Sequence, residues 1–427
     1  MKDFDLVVIG GGPAGILAAG KAASEGANVL LLEKMEKPAR KLRITGKGRC
    51  NITNVKPLDD FIEEIFPDGQ FLRDAFKEFF AEDIVKLLNE QGVETVVERG
   101  QRVFPASGKA WDVAEGLIRW AKSFNVEFIN HAKVEKINVV DGKTSSVDYI
   151  NTTSGQKNSI KCKSVVIASG GLSYPATGST GDGYELAKFC GHSIVPLRPT
   201  LVGFETSPVL KQSAGLTLKN INLTLFIEGK KVDEEFGELE LTPYGLSGPI
   251  ILRVSRKIVD ALSLGKAIEV TLDLKPALDR KKLDARLQRD IEDNPRGAVI
   301  DLARGLLPKE LAFEMIDNIG LAAQKNLARL SLNERKAIRL WLKELKFTIL
   351  SHRSWDEAIA TAGGVSLKEV NPRTMESKLL KGLFFAGEVL DLDGNTGGYN
   401  LQIAYSTGWL AGIHSAKYAL AYKKIEH

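Results

Sequence analysis

The first 33 residues contain two apolar runs separated by a stretch with helical spacing. Residues 6–9 and 29–32 predict two buried strands, and residues 14–25 between them repeat apolar side chains at helical intervals. The turn GGGPAG separates the first strand from the helix, and Glu33 follows the second strand. A strand, helix and strand of this length and order are typical of a dinucleotide-binding unit, and we predict that function for them.

Two later apolar segments predict strands that return to the same sheet. Residues 164–171, SVVIASGG, precede a Gly-Asp-Gly turn that opens a helix, and residues 382–412 predict a strand, an acidic loop and a final helix starting near Gly398. Two strands that join the sheet from distant parts of the sequence suit an elongated ligand that lies across the carboxyl ends of several strands. Between the first unit and the first return we predict a helix at 109–124 and strands at 93–97, 102–104, 126–129 and 133–139.

The pattern changes at about His192. Segments such as LTLKNINLTLFIEGKKV and AIEVTLDL alternate apolar and polar residues, as antiparallel strands do, whereas the charged residues 276–344 have helical spacing. We therefore predict an α/β fold: a Rossmann-like domain with a three-layer sheet, interrupted by an inserted antiparallel β domain and a small helical subdomain. The predicted boundaries are 1–191 and 371–427 for the first domain, 192–274 and 345–370 for the β domain, and 275–344 for the helical subdomain.

Composition indicates the cellular compartment and limits the kinds of disulfide or metal site that the chain can contain. A chain of 427 residues with 44% apolar residues suits a globular protein of two or three domains. Cys50, Cys162 and Cys190 are far apart and odd in number, which argues against a disulfide framework or a zinc site and favours a reducing cytoplasm. We therefore expect a cytoplasmic protein without a bound metal. No signal peptide or transmembrane span is visible, so no membrane partner is expected.

The net charge of +4 is unevenly placed. Residues 34–56 hold eight cations and one anion, a net charge of +7, which leaves −3 for the rest of the chain. A local block of this kind indicates one bound anion more than the extended basic face of a nucleic-acid-binding protein. The block also contains no aromatic residue for base stacking. We therefore do not expect a nucleic-acid partner.

The glycine turn and Glu33 together indicate the kind of cofactor. Gly10 permits the tight turn, Gly12 lets the backbone approach a pyrophosphate, and Gly15 allows the helix to pack closely on the strand. Glu33 is placed to accept hydrogen bonds from an adenosine ribose, and an acid there favours an unphosphorylated 2′-hydroxyl, hence FAD or NAD. The long irregular segment after Glu33 favours FAD, because a nicotinamide dehydrogenase continues in regular strand and helix repeats.

The loop LRITGKGRCNITN, residues 42–54, is predicted to run along this cofactor. Its glycines permit close approach, nearby cations offset phosphate charge, and its amides suit ribityl or flavin edges. In that order these residues are Gly46 and Gly48, then Lys41, Arg43 and Arg49, then Asn51 and Asn54. Cys50 has no resolving cysteine nearby in sequence, so we interpret it as a small packed residue. The final helix is predicted to point its positive end at the pyrimidine ring, where negative charge accumulates on reduction.

Two acids before the final helix have two interpretations. Glu388 and Asp391 either bind the ribityl chain or pyrophosphate-bound water, or they cap and turn the chain. Val134 begins a strand where many flavoproteins contact adenine through the backbone. The full set of predicted cofactor-binding residues is Gly10, Gly12, Pro13, Ala14, Gly15, Glu33, Lys34, Lys41, Gly46, Gly48, Arg49, Cys50, Asn51, Asn54, Val134, Ser169, Gly170, Gly171, Asp182, Gly387, Glu388, Asp391, Gly398, Tyr399, Asn400 and Leu401.

Four side chains are candidates for an acid, a base or a substrate contact. Tyr174 lies in the loop after the first returning strand. Tyr244 and Ser247 lie in YGLSGPIIL, where Ser247 is also a candidate N-cap before Pro249. His352 lies where a strand of the inserted domain runs into a loop, and it is the histidine best placed for acid-base chemistry.

Six segments together resemble one known family. TGKGRCNITN, RVFPAS, TPYGLSGP, ATAGGV, NPRTMESK and GLFFAGEVLDLDGNTGGYNLQIAYSTG are similar to the aminoacetone-oxidase-like family of FAD flavoproteins, over nearly the whole chain. The resemblance implies non-covalent FAD in a domain interrupted by a β-rich and a helical insertion. Activities in that family include oxidation of aminoacetone and reduction of bile-acid enones. Thr45 stands where the family often has serine, and the hydroxyl is kept.

The resemblance implies an FAD-dependent oxidoreductase that passes a hydride between flavin N5 and a small organic substrate of the amine or enone class. The second half-reaction, with oxygen or with NAD(P)H, is left open, as is the oligomeric state. The alternative is a flavin-dependent tRNA-modifying or RNA-binding protein, against which stands the lack of aromatic residues in the charged block.

Overall fold

The computed structural model describes residues 3–423, so residues 1–2 and 424–427 of the predicted FAD-binding domain lie outside the described range. The chain forms two compact units. The first unit comprises the residues up to Pro199 together with those from Ala358 onwards, and the second unit is Thr200–Glu357.

The elements follow one another along the chain in three groups. The strands up to residue 200 are β1 (Asp3–Ile9), β2 (Val29–Leu32), β3 (Thr53–Asn54), β4 (Ile65–Phe66), β5 (Thr95–Glu98), β6 (Arg102–Pro105), β7 (Glu127–Ile129), β8 (Ala132–Val140), β9 (Lys143–Asn151), β10 (Lys157–Ile167) and β11 (Ile194–Thr200). The helices there are α1 (Pro13–Ser24), α2 (Arg40–Ile44), α3 (Leu58–Ile62), α4 (Arg73–Glu78), α5 (Ala81–Glu90), α6 (Ala110–Ser123) and α7 (Asp182–Phe189).

The second unit and the last part of the first unit complete the chain. The second unit contains β12 (Phe204–Ser207), β13 (Thr217–Ile227), β14 (Lys230–Thr242), β15 (Gly245–Ser247), β16 (Ile268–Asp273), β17 (Leu345–His352), α8 (Pro249–Ser263), α9 (Arg280–Asp293), α10 (Val299–Leu306), α11 (Lys309–Asn318) and α12 (Leu332–Lys343). The last part contains β18 (Ala360–Val365), β19 (Leu383–Phe385), β20 (Asp393–Gly394) and α13 (Tyr399–Lys423).

The main sheet of the first unit has seven strands in the order β7-β2-β1-β10-β9-β8, with β19 beside β10. Strand β1 runs parallel to both of its neighbours, and Val8 lies opposite Leu31 on one side and Val166 on the other. All three side chains are fully buried, which is typical of strands in a parallel sheet. The predicted α/β class with a Rossmann-like domain is thereby confirmed.

Helix α13 packs against α1 through two glycines one helical turn apart. A Cβ at Gly408 would come within 2.3 Å of the Ala14 carbonyl oxygen, and a Cβ at Gly412 within 2.6 Å of the Ala18 carbonyl oxygen. A side chain does not fit at either position. The C-terminal helix therefore rests directly on the helix that follows the glycine turn.

Three short pairings complete the first unit. Strands β3, β6 and β5 form a three-stranded antiparallel sheet, β20 pairs with β4, and β11 pairs with β18. Strand β3 ends the loop 42–54, and Thr53 pairs with Val103 of β6. This pairing ties the loop to the β5–β6 hairpin.

The second unit contains a closed antiparallel barrel of six strands in the order β12-β15-β14-β13-β16-β17. Its strands alternate between buried and less buried side chains, and Ile268, Val270 and Leu272 of β16 are at most 2% exposed. Helices α9–α12 follow β16 before β17 returns to the barrel. Side chains cap two of them, since Asp279 accepts a backbone N–H of α9 and Ser331 one of α12.

The start of α8 corrects one prediction from the sequence. Ser247, expected as the N-cap of this helix, is the last residue of β15, and the N-cap is Gly248 with φ of 92°. A Cβ at Gly248 would come within 2.7 Å of the Glu240 amide nitrogen. The helix therefore begins at a tight turn that needs glycine, and no capping side chain is used.

The two units divide the chain at different points from the predicted domains. Residues 192–199 and 358–370, which the sequence groups with the inserted β domain, belong to the first unit, where β11 pairs with β18. Residues 275–344 belong to the second unit. Across residues 3–423, no helix combines the length and the hydropathy needed to cross a membrane.

Candidate functional site

The turn between β1 and α1 brings the N-terminus of the helix to the edge of the sheet. Gly10 has φ of 103°, and its N–H donates to the Leu32 carbonyl at 2.8 Å. A Cβ at Gly15 would lie 1.9 Å from the Gly10 carbonyl oxygen, whereas a Cβ at Gly12 would meet no atom within 4 Å. Gly15 thus packs helix on strand, while Gly12 leaves room beside the helix N-terminus. No side chain caps that end, so its N–H groups can bind an anion.

Glu33 follows β2, and its carboxylate joins the same turn. One carboxylate oxygen accepts the Gly11 N–H at 2.7 Å, and the other accepts the Met35 N–H at 2.8 Å. Burial raises the pKa of Glu33, although these two hydrogen bonds act in the opposite direction. Glu33 is therefore held beside the glycine turn, where the sequence predicts an adenosine ribose.

The segment after β10 contributes a second set of predicted residues. Ser169 has a buried hydroxyl without a hydrogen-bond partner among the described residues. A Cβ at Gly183 would lie 1.9 Å from that hydroxyl, so glycine lets α7 approach it. Asp182 begins α7 and accepts from Lys34 Nζ at 2.6 Å, while Lys34 also contacts the Thr180 hydroxyl. This ion pair joins the end of β2 to the start of α7.

Glu388 is the centre of a polar cluster in the first unit. Its carboxylate accepts from Lys41 Nζ at 2.9 Å, from Ser173 Oγ at 2.9 Å and from the Thr361 N–H at 2.8 Å. Lys41 also donates to Ser173 Oγ at 2.5 Å. Glu388 caps no helix in the structure. These contacts join the loop after β2, the loop after β10 and the start of β18, and binding of the cofactor by Glu388 stays a prediction.

The loop 42–54 braces the start of α13. With its amide oriented by its partners, Asn51 accepts the Gly398 N–H at 3.1 Å and donates to the Thr53 carbonyl at 3.2 Å. Asn54 donates to the Gly397 carbonyl at 3.2 Å and to a second carbonyl at 3.0 Å. The sequence predicts that these two amides contact the cofactor. In the structure both amides hydrogen-bond the backbone, where the N–H groups at a helix start need partners. Their contact with the cofactor stays a prediction.

Three cations of the charged block that are predicted to offset phosphate charge form ion pairs in the structure. Each is paired with a carboxylate that lies far away in sequence, and its role towards a phosphate stays a prediction. The pairs are Lys41 with Glu388 at 2.9 Å, Arg43 with Glu115 at 3.0 Å, and Arg49 with Glu98. The uncapped N–H groups at the start of α1 are a further group of the described site that can bind a pyrophosphate.

Cys50 is fully buried within this loop. Burial raises the pKa of its thiol to about 12, which keeps it protonated and unreactive. Gly46 and Gly48, on either side of Lys47, have left-handed backbone, with φ of 58° and 85°. The loop thus packs Cys50 inward and carries Lys47 exposed on its outer side.

The remaining predicted residues lie at the expected ends of elements. Asn400 accepts the Gly394 N–H at 2.9 Å and donates to the Gly394 carbonyl at 2.7 Å. Tyr399 is buried, and burial together with the Glu64 carboxylate raises its pKa. Pro13 and Ala14 form the first turn of α1, Gly170 and Gly171 follow β10, Val134 lies in β8, Gly387 and Asp391 follow β19, and Leu401 lies in the first turn of α13.

The four candidates for an acid, a base or a substrate contact belong to different units. Tyr174 lies in the first unit, next to Ser173, and has left-handed backbone with φ of 53°. Such strain in a residue with a side chain is frequent at functional sites. Tyr244, Ser247 and His352 belong to the second unit.

An ion-pair network surrounds Tyr244 in the second unit. The Arg353 guanidinium lies 4.2 Å from the centre of the Tyr244 ring and pairs with Glu205 and Glu357, each at 2.6 Å. Burial and the Glu357 carboxylate raise the pKa of Tyr244. His352 is exposed, and its Nδ1 lies 2.9 Å from the Arg353 carbonyl oxygen. The structure therefore gathers Tyr244 and His352 around Arg353, which the sequence did not single out.

A buried serine, histidine and glutamate elsewhere in the first unit resemble a hydrolase triad. His192 Nε2 lies 2.8 Å from Ser377 Oγ, and Nδ1 lies 3.1 Å from the Glu369 carboxylate. The Ser377 oxygen also accepts the N–H groups of Leu379 and Leu380. Because Ser377 is only 3% exposed and its lone pairs are used, the arrangement is structural.

Two residues of the Glu388 cluster escape sequence reasoning. Ser173 precedes Tyr174, and Thr361 lies in the motif ATAGGV, but neither has a local pattern that indicates a polar role. Thr361 could have been singled out, because its motif is part of the family resemblance. Within residues 3–423, no group of three or more His, Cys, Asp or Glu side chains is arranged to hold a metal ion.

The residues of the first unit fit FAD. The uncapped start of α1 and the open side of Gly12 provide a cradle for a pyrophosphate. Glu33 supplies carboxylate oxygens beside it, and the Ser169 hydroxyl is a buried polar group that still needs a partner. The donor set and the shape of the turn therefore agree with the predicted cofactor.

Comparison with known proteins gives consistent results. Residues 4–414 match the family described as HI0933-like protein Rossmann domain. The 3-dehydro-bile acid delta(4,6)-reductase of Clostridium scindens is 30% identical over 412 residues, which cover 96% of this chain and 98% of that protein. A ribosomal RNA dihydrouridine synthase of Escherichia coli is 30% identical over 415 residues, which cover 96% of this chain and 97% of that protein.

A solved structure supports the fold alone. The 3-ketosteroid-delta4-(5alpha)-dehydrogenase from Rhodococcus jostii is 15% identical, with a TM-score of 0.53 over 97% of each chain. Neither of these two sequence relatives is named as an aminoacetone oxidase, so the predicted resemblance is confirmed for the flavoprotein family alone. The chain belongs to the HI0933-like Rossmann family and is an FAD-dependent oxidoreductase.

Proposed function

We propose that this chain reduces a carbon–carbon double bond conjugated to a carbonyl group. The support is chemical: two relatives that match nearly the whole chain are named for a bile-acid delta(4,6) reduction and for making dihydrouridine. A bile-acid dienone and a uracil ring differ in shape. In both, the double bond is conjugated to a carbonyl, so hydride addition at the far carbon moves negative charge to oxygen. That shared step carries the proposal.

The first unit would hold the cofactor along the edge of its sheet. The N–H groups at the start of α1 would bind the pyrophosphate, Glu33 the adenosine ribose, and Ser169 a further polar group. When bound, FAD supplies the N5 position that exchanges a hydride with the substrate. The N-terminus of α13, braced by Asn51 and Asn54, would add positive potential that favours negative charge on a reduced ring.

The chain must also deliver a proton. Reduction of the double bond adds a hydride to one carbon and a proton to its neighbour. A phenol is a suitable donor, and Tyr174 lies in the first unit, which would hold the cofactor. Tyr174 is therefore the candidate proton donor of that unit.

The test uses the FAD-loaded protein after chemical reduction under anaerobic conditions. A conjugated dienone bile acid and free uridine are each mixed with it, and the return of oxidised-flavin absorbance is followed. We expect a conjugated compound to reoxidise the flavin, whereas the matched saturated ketone should leave it reduced. If no conjugated compound acts and aminoacetone instead reduces the oxidised protein, the proposal is overturned in favour of amine oxidation.

The same anaerobic mixing experiment tests which compound donates electrons to the flavin. NADH and NADPH are mixed separately with the oxidised protein, and bleaching of the flavin is followed. Rapid bleaching by either one supports a reductase that takes electrons from NAD(P)H. Failure of both would mean that another reductant supplies the electrons. The sequence shows no second dinucleotide fingerprint for a separate nicotinamide site.

A further inference from the structure

A cationic surface of the first unit contains an exposed indole ring. Trp111 lies in the first turn of α6 and is 49% exposed. The Arg43 guanidinium lies 3.9 Å from the centre of its ring, and Lys37 Nζ lies 5.8 Å from it. The fold thus brings an aromatic ring to the charged block, which has none of its own. We name this region the Trp111 surface and define it by Lys37, Arg43, Lys47, Lys109 and Trp111.

Several cations of the Trp111 surface are available to a partner. Lys37, Lys47 and Lys109 are exposed and make no ion pair with any residue in the described range. Arg43 differs, because it pairs with Glu115 at 3.0 Å and is held against the ring. Free cations around a half-exposed aromatic ring suit a polyanion with stackable rings, which is the chemistry of a nucleic acid.

The Trp111 surface shares a loop with the predicted cofactor site. Lys47 lies on the outer side of the turn Thr45–Gly48. A few residues later, Asn51 and Asn54 bind the backbone at the start of α13. A polymer held by the Trp111 surface would therefore lie beside the loop that braces the helix assigned to the flavin.

We infer that the Trp111 surface binds RNA and presents an unpaired uridine for reduction. This inference rests on the proposed function, because the uracil ring contains the conjugated double bond that the chain would reduce. RNA is usually recognised at loops whose unpaired bases can stack on aromatic side chains. Trp111 supplies the stacking ring, and Lys37, Lys47 and Lys109 supply contacts to phosphates.

A protein partner is the competing occupant. Ile44, Val96 and Val97 are 48%, 43% and 61% exposed on α2 and β5, and apolar residues of this kind serve protein interfaces. The free cations argue for RNA, since the cores of protein interfaces are depleted in lysine. The experiment therefore measures both RNA binding and self-association.

The test measures binding without turnover. The oxidised, FAD-loaded chain is titrated into a labelled RNA hairpin with an unpaired uridine-rich loop, and anisotropy is recorded over a salt series. The same sequence as DNA and a fully paired RNA duplex serve as competitors. We expect Trp111→Ala to weaken hairpin binding roughly 5- to 150-fold. Lys47→Gln should reduce the slope of log affinity against log salt by about 0.7.

A matched control is available within the same unit. Phe189 is 63% exposed, and Lys136 Nζ lies 5.7 Å from the centre of its ring. Phe189→Ala therefore removes an exposed aromatic residue beside a lysine, away from the Trp111 surface in sequence, and should leave hairpin affinity unchanged. Trp111→Tyr keeps a ring and should retain most of the affinity. If Trp111→Ala does not fold, Lys47→Gln and Lys109→Gln carry the test.

Three outcomes would overturn the inference. The wild-type chain fails to bind the hairpin at low salt, Trp111→Ala and Phe189→Ala lose equal affinity, or Trp111→Ala abolishes self-association and leaves RNA binding intact. The last outcome would assign the surface to a protein interface. Failure of the proposed function is separate, because it is measured on the wild-type chain without RNA: the reduced flavin is then reoxidised neither by free uridine nor by a dienone, whatever the affinity for the hairpin.

Discussion

Substitutions at two glycines of the same turn, Gly12 and Gly15, should separate folding from cofactor binding. Gly15→Ala would place a Cβ 1.9 Å from the Gly10 carbonyl oxygen, where ordinary contacts begin near 3.4 Å, so α1 must move by about 1.5 Å. Overpacking of this kind costs about 1–3 kcal/mol and sometimes more, and we expect at least the upper end. Gly12→Ala adds a methyl group that meets no protein atom within 4 Å, at a φ of −76° that alanine adopts readily.

The apoprotein of Gly12→Ala should therefore be as stable as wild type, or more stable by about 0.4–1 kcal/mol, because alanine restricts the unfolded chain. Its methyl group occupies the side of the turn assigned to the pyrophosphate. A steric cost of about 1–3 kcal/mol corresponds to FAD affinity roughly 5- to 150-fold weaker. With FAD at 100 times the wild-type Kd, FAD adds about 2.7 kcal/mol to wild type and about 0.4 kcal/mol to a variant that binds 100-fold more weakly.

Urea unfolding of the apoproteins and titration of flavin fluorescence measure the two effects separately. We expect the two variants to differ: Gly15→Ala loses stability in the absence of FAD, whereas Gly12→Ala loses only FAD affinity. Wild-type FAD affinity in Gly12→Ala would show that the pyrophosphate does not lie at the start of α1. Native stability in Gly15→Ala would show that the helix and strand are not packed as described.

Three further predictions concern stability and reactivity. Burial lowers the pKa of His192, although the Glu369 carboxylate opposes this, so the unfolded chain binds the proton more tightly and the free energy of unfolding should fall as pH drops below about 6.5. Urea unfolding across that pH range should show a weaker dependence in His192→Gln, and identical slopes would refute the assignment. Asn54→Ala removes bonds that brace α13 and should cost about 1–3 kcal/mol of unfolding free energy, so an unchanged denaturation midpoint would contradict it. Burial raises the pKa of Cys50 to about 12, and iodoacetamide should label it only after unfolding, whereas rapid labelling of the native protein would show an accessible thiolate.

Local elements could be predicted from the sequence because their signals act over a few residues. The helix expected at 109–124 is α6, Ala110–Ser123, and the strand expected at 133–139 lies within β8, Ala132–Val140. In both segments the apolar periodicity matches the buried face. The order of β1, α1 and β2 could likewise be predicted from the spacing of glycines and apolar runs.

The partners of polar side chains could not be predicted in this way. Lys41 and Glu388 are 347 residues apart, and only the packed sheet brings the loop after β2 to the segment after β19. Asn51 and Asn54 were assigned to the cofactor because amides suit flavin edges, but no local pattern indicates their hydrogen bonds to the backbone near α13. Trp111 lies outside the charged block in sequence, so its stacking on Arg43 could not be inferred from residues 34–56 alone.

The first unit contains residues from before and from after the second unit in the sequence, so its parts are synthesised at different times. Strand β19 and helix α13 come from the C-terminal part, whereas the second unit is one continuous stretch, Thr200–Glu357. During synthesis the barrel can fold while the first sheet still lacks β19 and the helix that rests on α1. A ribosome-bound chain cannot complete the cofactor site until Gly398 and the first turn of α13 have emerged. FAD should therefore be captured only after the first turn of α13 has emerged, and variants that lack α13 should contain a folded barrel and a first unit that cannot retain flavin.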